Sequence, residues 1–191
     1  MRRHIGFFVG FLLIWFILHV APQAIAALYP DLNAWLMALI SVVFCLLIVL
    51  VWIGFLKSAL KAADGENPTF VDLFSSAPIL VQFIIGWILY SLIIVVGLFL
   101  LVFPAAIWGS RYFMWPFVMI DKKIGPIKSL MLSGKMTMGV KWDVFMLIIA
   151  SWLITMIGVA LIFVGSFVAI PIVTIAHAAT YRMLESQHRT V

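Results

Sequence analysis

Long uninterrupted apolar runs dominate this chain, and short polar, Gly/Pro-punctuated segments separate them. Runs such as "LLIVLVWIGFL" lack the alternation of a transmembrane barrel strand, so the pattern predicts helices that cross a bilayer. The first run covers 5–27, with "APQ" as a break inside it, and the second covers 34–56. "LYPDLN" forms the turn between them, with Pro30, Asp31 and Asn33 as breakers. The stretch 78–118 is too long for one span and suits two, 78–97 and 101–118, with Gly97 and Pro104 marking the turn. The last run divides near Gly165–Ser166 into 144–163 and 166–184. The expectation is an all-α membrane protein: a single domain over residues 1–191 with six transmembrane helices in three hairpins.

Charge supports this division. With both termini inside, every Lys and Arg except Arg111 falls in an inner segment: 1–4, 57–76, 121–141 or the tail. The outer turns carry only Asp31, as the positive-inside rule requires. Composition points the same way. The chain is 66% hydrophobic and 10% charged, against about 45–50% and about 25% in soluble domains. A net charge of +5 and a pI near 9.6 would raise nucleic acid as the partner of a soluble protein. Here the cations sit at membrane edges, so lipid is the expected partner and nucleic acid is not. Cys45 is alone in mid-run and carries no redox information.

The opening residues also have the shape of a signal peptide: "MRR", an apolar core, then "APQAIA". Cleavage after Ala26 would leave five spans; the long core favours a retained first helix. "GFFVG" is a G-x-x-x-G pair that suits close helix packing. A weak internal repeat sets Lys57, Ser58, Asp72 and Phe74 against Lys128, Ser129, Asp143 and Phe145, and Arg111 against Arg182.

Arg111 poses the sharpest chemical question. Arginine in mid-bilayer costs about 2.5–3.5 kcal/mol or more. Pro116 is expected to end the fourth span at Trp115, leaving Arg111 about one turn from the helix end, where it can snorkel. Trp108, Tyr112 and Trp115 would flank it as an interfacial belt. A functional role would need an acidic partner, for which Asp121 and Asp143 are the candidates. Gln82, Arg111 and His177 form the possible intramembrane polar site. His19 and His177 differ in expected depth by roughly 10 Å, so a shared metal is not expected. No nucleophile, zinc, phosphate-loop or dinucleotide motif occurs, and the spans lack carboxylates. No catalytic residue, metal or cofactor is assigned.

The segment "DKKIGPIKSLMLSGKMTMGVKWD" is more informative. Pro126 suits a helix start, and Ile127, Leu130, Met131 and Met138 line one face. Lys122, Lys123, Lys128, Lys135 and Lys141 surround that stripe, as in an amphipathic helix at the inner interface. Anionic lipid attracts each such lysine by about 1 kcal/mol. The lysines also serve to set topology. Gly139 permits a tight turn before the next helix, where Lys141 and Trp142 sit as interfacial anchors.

"FPAAIWGSRYFMWPFVMID", "SGKMTMGVKWDVF" and "IPIVTIAHAATYRML" resemble a set of bacterial six-helix membrane proteins built on a domain of unknown function. That set looks related to the membrane domain fused to some glycerophosphodiester phosphodiesterases. The resemblance covers roughly 64–184 and, more loosely, the first two spans. It implies a bacterial inner membrane and six helices. It implies no catalytic residue, and the phosphodiesterase domain has no counterpart in these 191 residues.

Three functional expectations follow. The first is a non-enzymatic module that binds anionic lipid, an envelope protein or a second copy of itself through the basic inner face. A small transporter or channel is the alternative, weakened by the absence of membrane carboxylates. An enzyme acting on lipid head groups has only Arg111 and the lysines in its favour, with no acid–base pair.

Overall fold

The computed structural model describes residues 5–100, 102–160 and 164–189. Among the described residues the chain is helical throughout, with no strand. The helices are α1 (Ile5–Leu28), α2 (Ala34–Ala63), α3 (Phe70–Phe74), α4 (Leu80–Leu100) and α5 (Val102–Tyr112). They continue as α6 (Trp115–Lys122), α7 (Pro126–Met136), α8 (Lys141–Ala160) and α9 (Val164–Arg189). A 3₁₀ turn at Ala77–Ile79 leads into α4.

Among the described residues four helical stretches are long and apolar enough to cross a membrane: Gly6–Leu28, Ala34–Ala63, Phe70–Leu100 and Lys141–Ala160. Their outer faces carry exposed apolar side chains such as Leu13, Phe16, Leu39, Leu92 and Trp152, a surface that lipid satisfies and water does not.

Several boundaries differ from expectation. The "APQ" stretch does not break α1, which runs through Pro22. Pro costs one backbone hydrogen bond, a loss that membrane helices tolerate. Gly97 and Pro104 do not form the turn. Gly97 lies inside α4, and a Cβ there would stand 2.7 Å from the Ala105 Cα, so this glycine permits a close crossing of α4 and α5. Pro104 lies in the first turn of α5, where its missing N–H has no partner to lose. Gly165 lies in α9 rather than at a turn; the connection at 161–163 falls outside the described residues. "LYPDLN" does form the first turn, and Asn33 caps α2 by accepting a 3.0 Å hydrogen bond from the Trp35 amide.

The largest difference is at 101–118, expected to form one span. α5 has 11 residues, about 16 Å of helix, half of a hydrocarbon core of about 30 Å. The chain turns at Phe113–Met114 and resumes as α6. Pro116 therefore opens a new helix instead of ending the old one. Trp115 is not at an interface: it is 2% exposed and packs against Phe83 and Gly86 of α4.

α6 is the centre of the molecule. Met114, Trp115, Phe117, Val118, Met119 and Ile120 are all buried. They pack among Ile53, Leu56 and Leu60 of α2, Leu130 and Met136 of α7, and Ala178, Tyr181 and Leu184 of α9. A helix apolar on every side belongs inside. A second core joins Phe7, Phe8, Phe11 and Leu12 of α1 to Phe55 of α2 and Leu73 of α3. Phe11 stacks on Phe55 at 3.9 Å between ring centroids. Of the G-x-x-x-G pair, Gly10 makes room for the Phe70 ring while Gly6 faces open space.

Candidate functional site

Among the described residues, Arg111 apart, the cations fall into two groups. The first is neutralised internally. Lys61 donates to both carboxylate oxygens of Asp72, at 2.8 and 2.9 Å. Lys57 donates to the Ser75 hydroxyl and lies 3.5 Å from Asp72. These lysines tie α3 to the end of α2, and the Thr69 amide and hydroxyl, at the α3 N-cap, also donate to Asp72. Burial pushes the Asp72 carboxyl up, but the Lys61 and Thr69 hydrogen bonds outweigh it and hold the group down at about 2.

Arg182 of α9 joins three segments. Its guanidinium reaches Asp64 after α2 at 2.6 Å, Asp121 of α6 at 2.9 Å and Glu185 of its own helix at 2.9 Å. Lys122 pairs with Glu185 and lies 3.6 Å from Asp121. The Tyr181 hydroxyl, fully buried, donates to Asp121 at 2.8 Å. The ends of α2, α6 and α9 are thus fastened together at one end of the molecule. Sequence reasoning missed this cluster because its partners stand up to 118 positions apart. The Arg182–Glu185 spacing of one helical turn was the only local sign. Each charge in the cluster is matched, so it works as a staple.

The second group has no internal partner. Lys123, Lys128 and Lys135 are exposed and Lys141 is half-buried, and none makes an ion pair among the described residues. Of the five lysines in this segment, Lys122 alone is consumed. Lys123 caps α6 in the left-handed region, with φ of 51°. Lys128 and Lys135 lie on α7, whose exposed face also carries Ile127 and Met131, and exposed Met138 follows in the turn after it. The expected single stripe is split: Leu130 turns inward with Ser129, Ser133, Gly134 and Met136. Gly139, at φ of 90°, makes the turn into α8, as expected. Lys141 then lines a cavity of about 370 Å³ with Trp142, Phe145 and Phe103.

The buried face of α7 docks on the break after α5. Ser133 and Thr137 donate their hydroxyls to the Arg111 carbonyl, at 3.2 and 2.8 Å. A carbonyl freed at a helix end inside a membrane protein needs such donors. Arg111 itself meets no carboxylate among the described residues. Asp121 is committed to Arg182, and Asp143 is exposed on the first turn of α8. The Arg111 guanidinium lies over the Tyr112 ring at 5.5 Å, and its buried Nε has no hydrogen-bond partner among the described residues.

Among the described residues no hydrogen bond joins Gln82, Arg111 and His177 to one another. Gln82 is exposed on the first turn of α4. His177 of α9 bonds Ser151 of α8 at 2.8 Å and packs edge-on against Phe113. His19 bonds the Trp15 carbonyl in its own helix at 2.9 Å. Among the described residues no cluster of His, Cys, Asp or Glu could hold a metal. The repeat is also uneven: Ser58 and Ser129 are both buried, but Asp72 is in an ion pair whereas Asp143 is exposed.

Compared with protein-family models, curated proteins and solved structures, the chain has no match.

Proposed function

We propose that this chain is a multi-pass protein of the bacterial inner membrane that binds anionic lipid through a basic face built on α7. It belongs, on this reading, with the six-helix bacterial proteins that its motifs resemble, with both termini inside. The sorting of cations carries the proposal. Lys57, Lys61, Lys122 and Arg182 are spent on carboxylates, while Lys123, Lys128, Lys135 and Lys141 remain unmatched within one short stretch. A fold that needed these lysines for stability would give them partners. Side chains kept only for topology would not require Ile127, Met131 and Met138 to be exposed among them. Unmatched lysines interleaved with exposed apolar groups suit a surface of phosphates and acyl chains.

The ends of α2, α6 and α9 meet at the Arg182 cluster, and this supports placing the three corresponding polar segments on one side of the membrane. The transporter alternative would draw on the broken α5–α6 helix, since backbone ends can bind substrate. Here Ser133 and Thr137 already occupy the freed Arg111 carbonyl, which favours a structural break.

Tryptophan fluorescence tests the proposal, because Trp108 and Trp142 lie beside the basic face. In mixed bilayers, brominated phosphatidylglycerol should quench more strongly than brominated phosphatidylcholine at equal mole fraction. The combined Lys123→Gln, Lys128→Gln, Lys135→Gln and Lys141→Gln variant should remove the difference. Equal quenching by both lipids in the wild-type protein would refute it.

A further inference from the structure

We infer that the groove between α4, α5 and α7 is a site for one anionic phospholipid, with Arg111 and Lys135 holding its phosphate. This rests on the lipid-binding reading above and narrows it to a single pocket. The groove encloses about 640 Å³, within the range of small-molecule sites of about 300–1,000 Å³. Leu89, Leu92, Ile93 and Val96 of α4 form one wall, and Ile127 and Met131 of α7 form the other. These walls suit an acyl chain. Among the described residues the charged groups on the lining are Arg111 and Lys135, both cations. The site therefore selects a ligand with an anionic head and an apolar tail.

Arg111 is set for that head. Its side chain lines the groove, while Nε is turned against α7 and has no hydrogen-bond partner among the described residues. Two features hold the side chain in place. The guanidinium rests on Tyr112. Gly134 lets α7 approach so closely that a Cβ there would stand 2.9 Å from the Tyr112 ring and 3.2 Å from Arg111 Nε. Ser133 and Thr137 fasten α7 to the Arg111 carbonyl, so the wall that carries Lys135 is fixed relative to the guanidinium. A planar guanidinium takes a phosphate through two parallel hydrogen bonds, and Lys135 adds a point charge.

The test uses the full chain in phosphatidylcholine nanodiscs doped with phosphatidylglycerol, released and weighed by native mass spectrometry. Wild-type protein should retain one phosphatidylglycerol in preference to phosphatidylcholine. Arg111→Gln and Lys135→Gln should each lower the retained fraction about tenfold, the loss expected for one charge-assisted contact. Leu92→Trp, which fills the groove and leaves both cations, should lower it as well. The triple variant Lys123→Gln, Lys128→Gln, Lys141→Gln should lose part of the anionic-lipid preference seen by fluorescence quenching and still release with the one lipid held in the groove. Wild-type retention by Lys135→Gln and Leu92→Trp would overturn the site, and these two exposed positions decide the matter even if Arg111→Gln does not fold. Loss in the triple variant alone would reject the groove and leave the broader lipid-binding reading standing; loss in none of them would reject both.

Discussion

Asp72 is a buried carboxylate gripped by Lys61 and by both donors of Thr69. Its pKa falls from 3.8 to about 2 on folding, so the folded protein binds its proton less readily than the unfolded chain. The stabilisation, about 2 kcal/mol, is complete above the unfolded value and is lost as pH falls from 3.8 toward about 2. Asp72→Asn should therefore melt lower than wild type at neutral pH, with the two melting curves converging in acid. Thermal melts in detergent across that range check this, and a constant gap down to the lowest pH would contradict it. Gly54 makes a second claim at this scale. A methyl group there would overlap the Leu73 backbone, so Gly54→Ala must push α3 off α2. The expected loss is about 1–3 kcal/mol, the usual cost of overpacking, measured by the same melts. Neither effect was legible in the sequence. Asp72 drew notice only as part of a repeat and Gly54 drew none, because the contacts of both run between α2 and a helix of five residues with little periodicity of its own.

Among the helices, α6 and α7 were read least well, and for a physical reason. Hydropathy averages over a window, so a half-length α5 followed by α6 looks like one span ending at a proline. The break is visible only through the hydroxyls that fill it. Ser133 and Thr137 drew no notice in the sequence, yet both are buried, and their hydroxyls serve the Arg111 carbonyl. Leu130 follows them inward, which leaves Ile127, Met131 and Met138 outside. Replacing the donors in Ser133→Ala with Thr137→Val should cost about 1–2 kcal/mol and loosen the junction locally. Hydrogen exchange should quicken at the Phe113 and Met114 amides and stay unchanged in α1. Uniform quickening across the molecule would mean that these hydroxyls serve global stability instead. The turns that depend on near neighbours, at 29–33 and Gly139, were legible, as was the lysine segment itself.

For the molecule as a whole, composition and run length gave the all-helical class and the membrane-length helices α1, α2, α4 and α8. The Arg182 cluster lay beyond reach, because no local pattern announces an ion pair between α9 and the end of α2. Its removal has a whole-molecule consequence. Arg182→Gln would leave Asp64, Asp121 and Glu185 near one another without the guanidinium that bridges them. Stability should fall by about 1–3 kcal/mol, since the pairs are only partly shielded from solvent. Added salt should narrow the deficit by screening the carboxylates. An unchanged melting temperature at low salt would show that the cluster does not fasten the three helices.

The unmatched cations bear the central claim, that this protein holds anionic lipid on its basic face. Native mass spectrometry of the protein extracted gently with its own lipids tests it most directly. The account predicts a bound anionic phospholipid that the combined Lys123→Gln, Lys128→Gln, Lys135→Gln and Lys141→Gln variant loses in large part. A bare chain, or one carrying zwitterionic lipid alone, would contradict it.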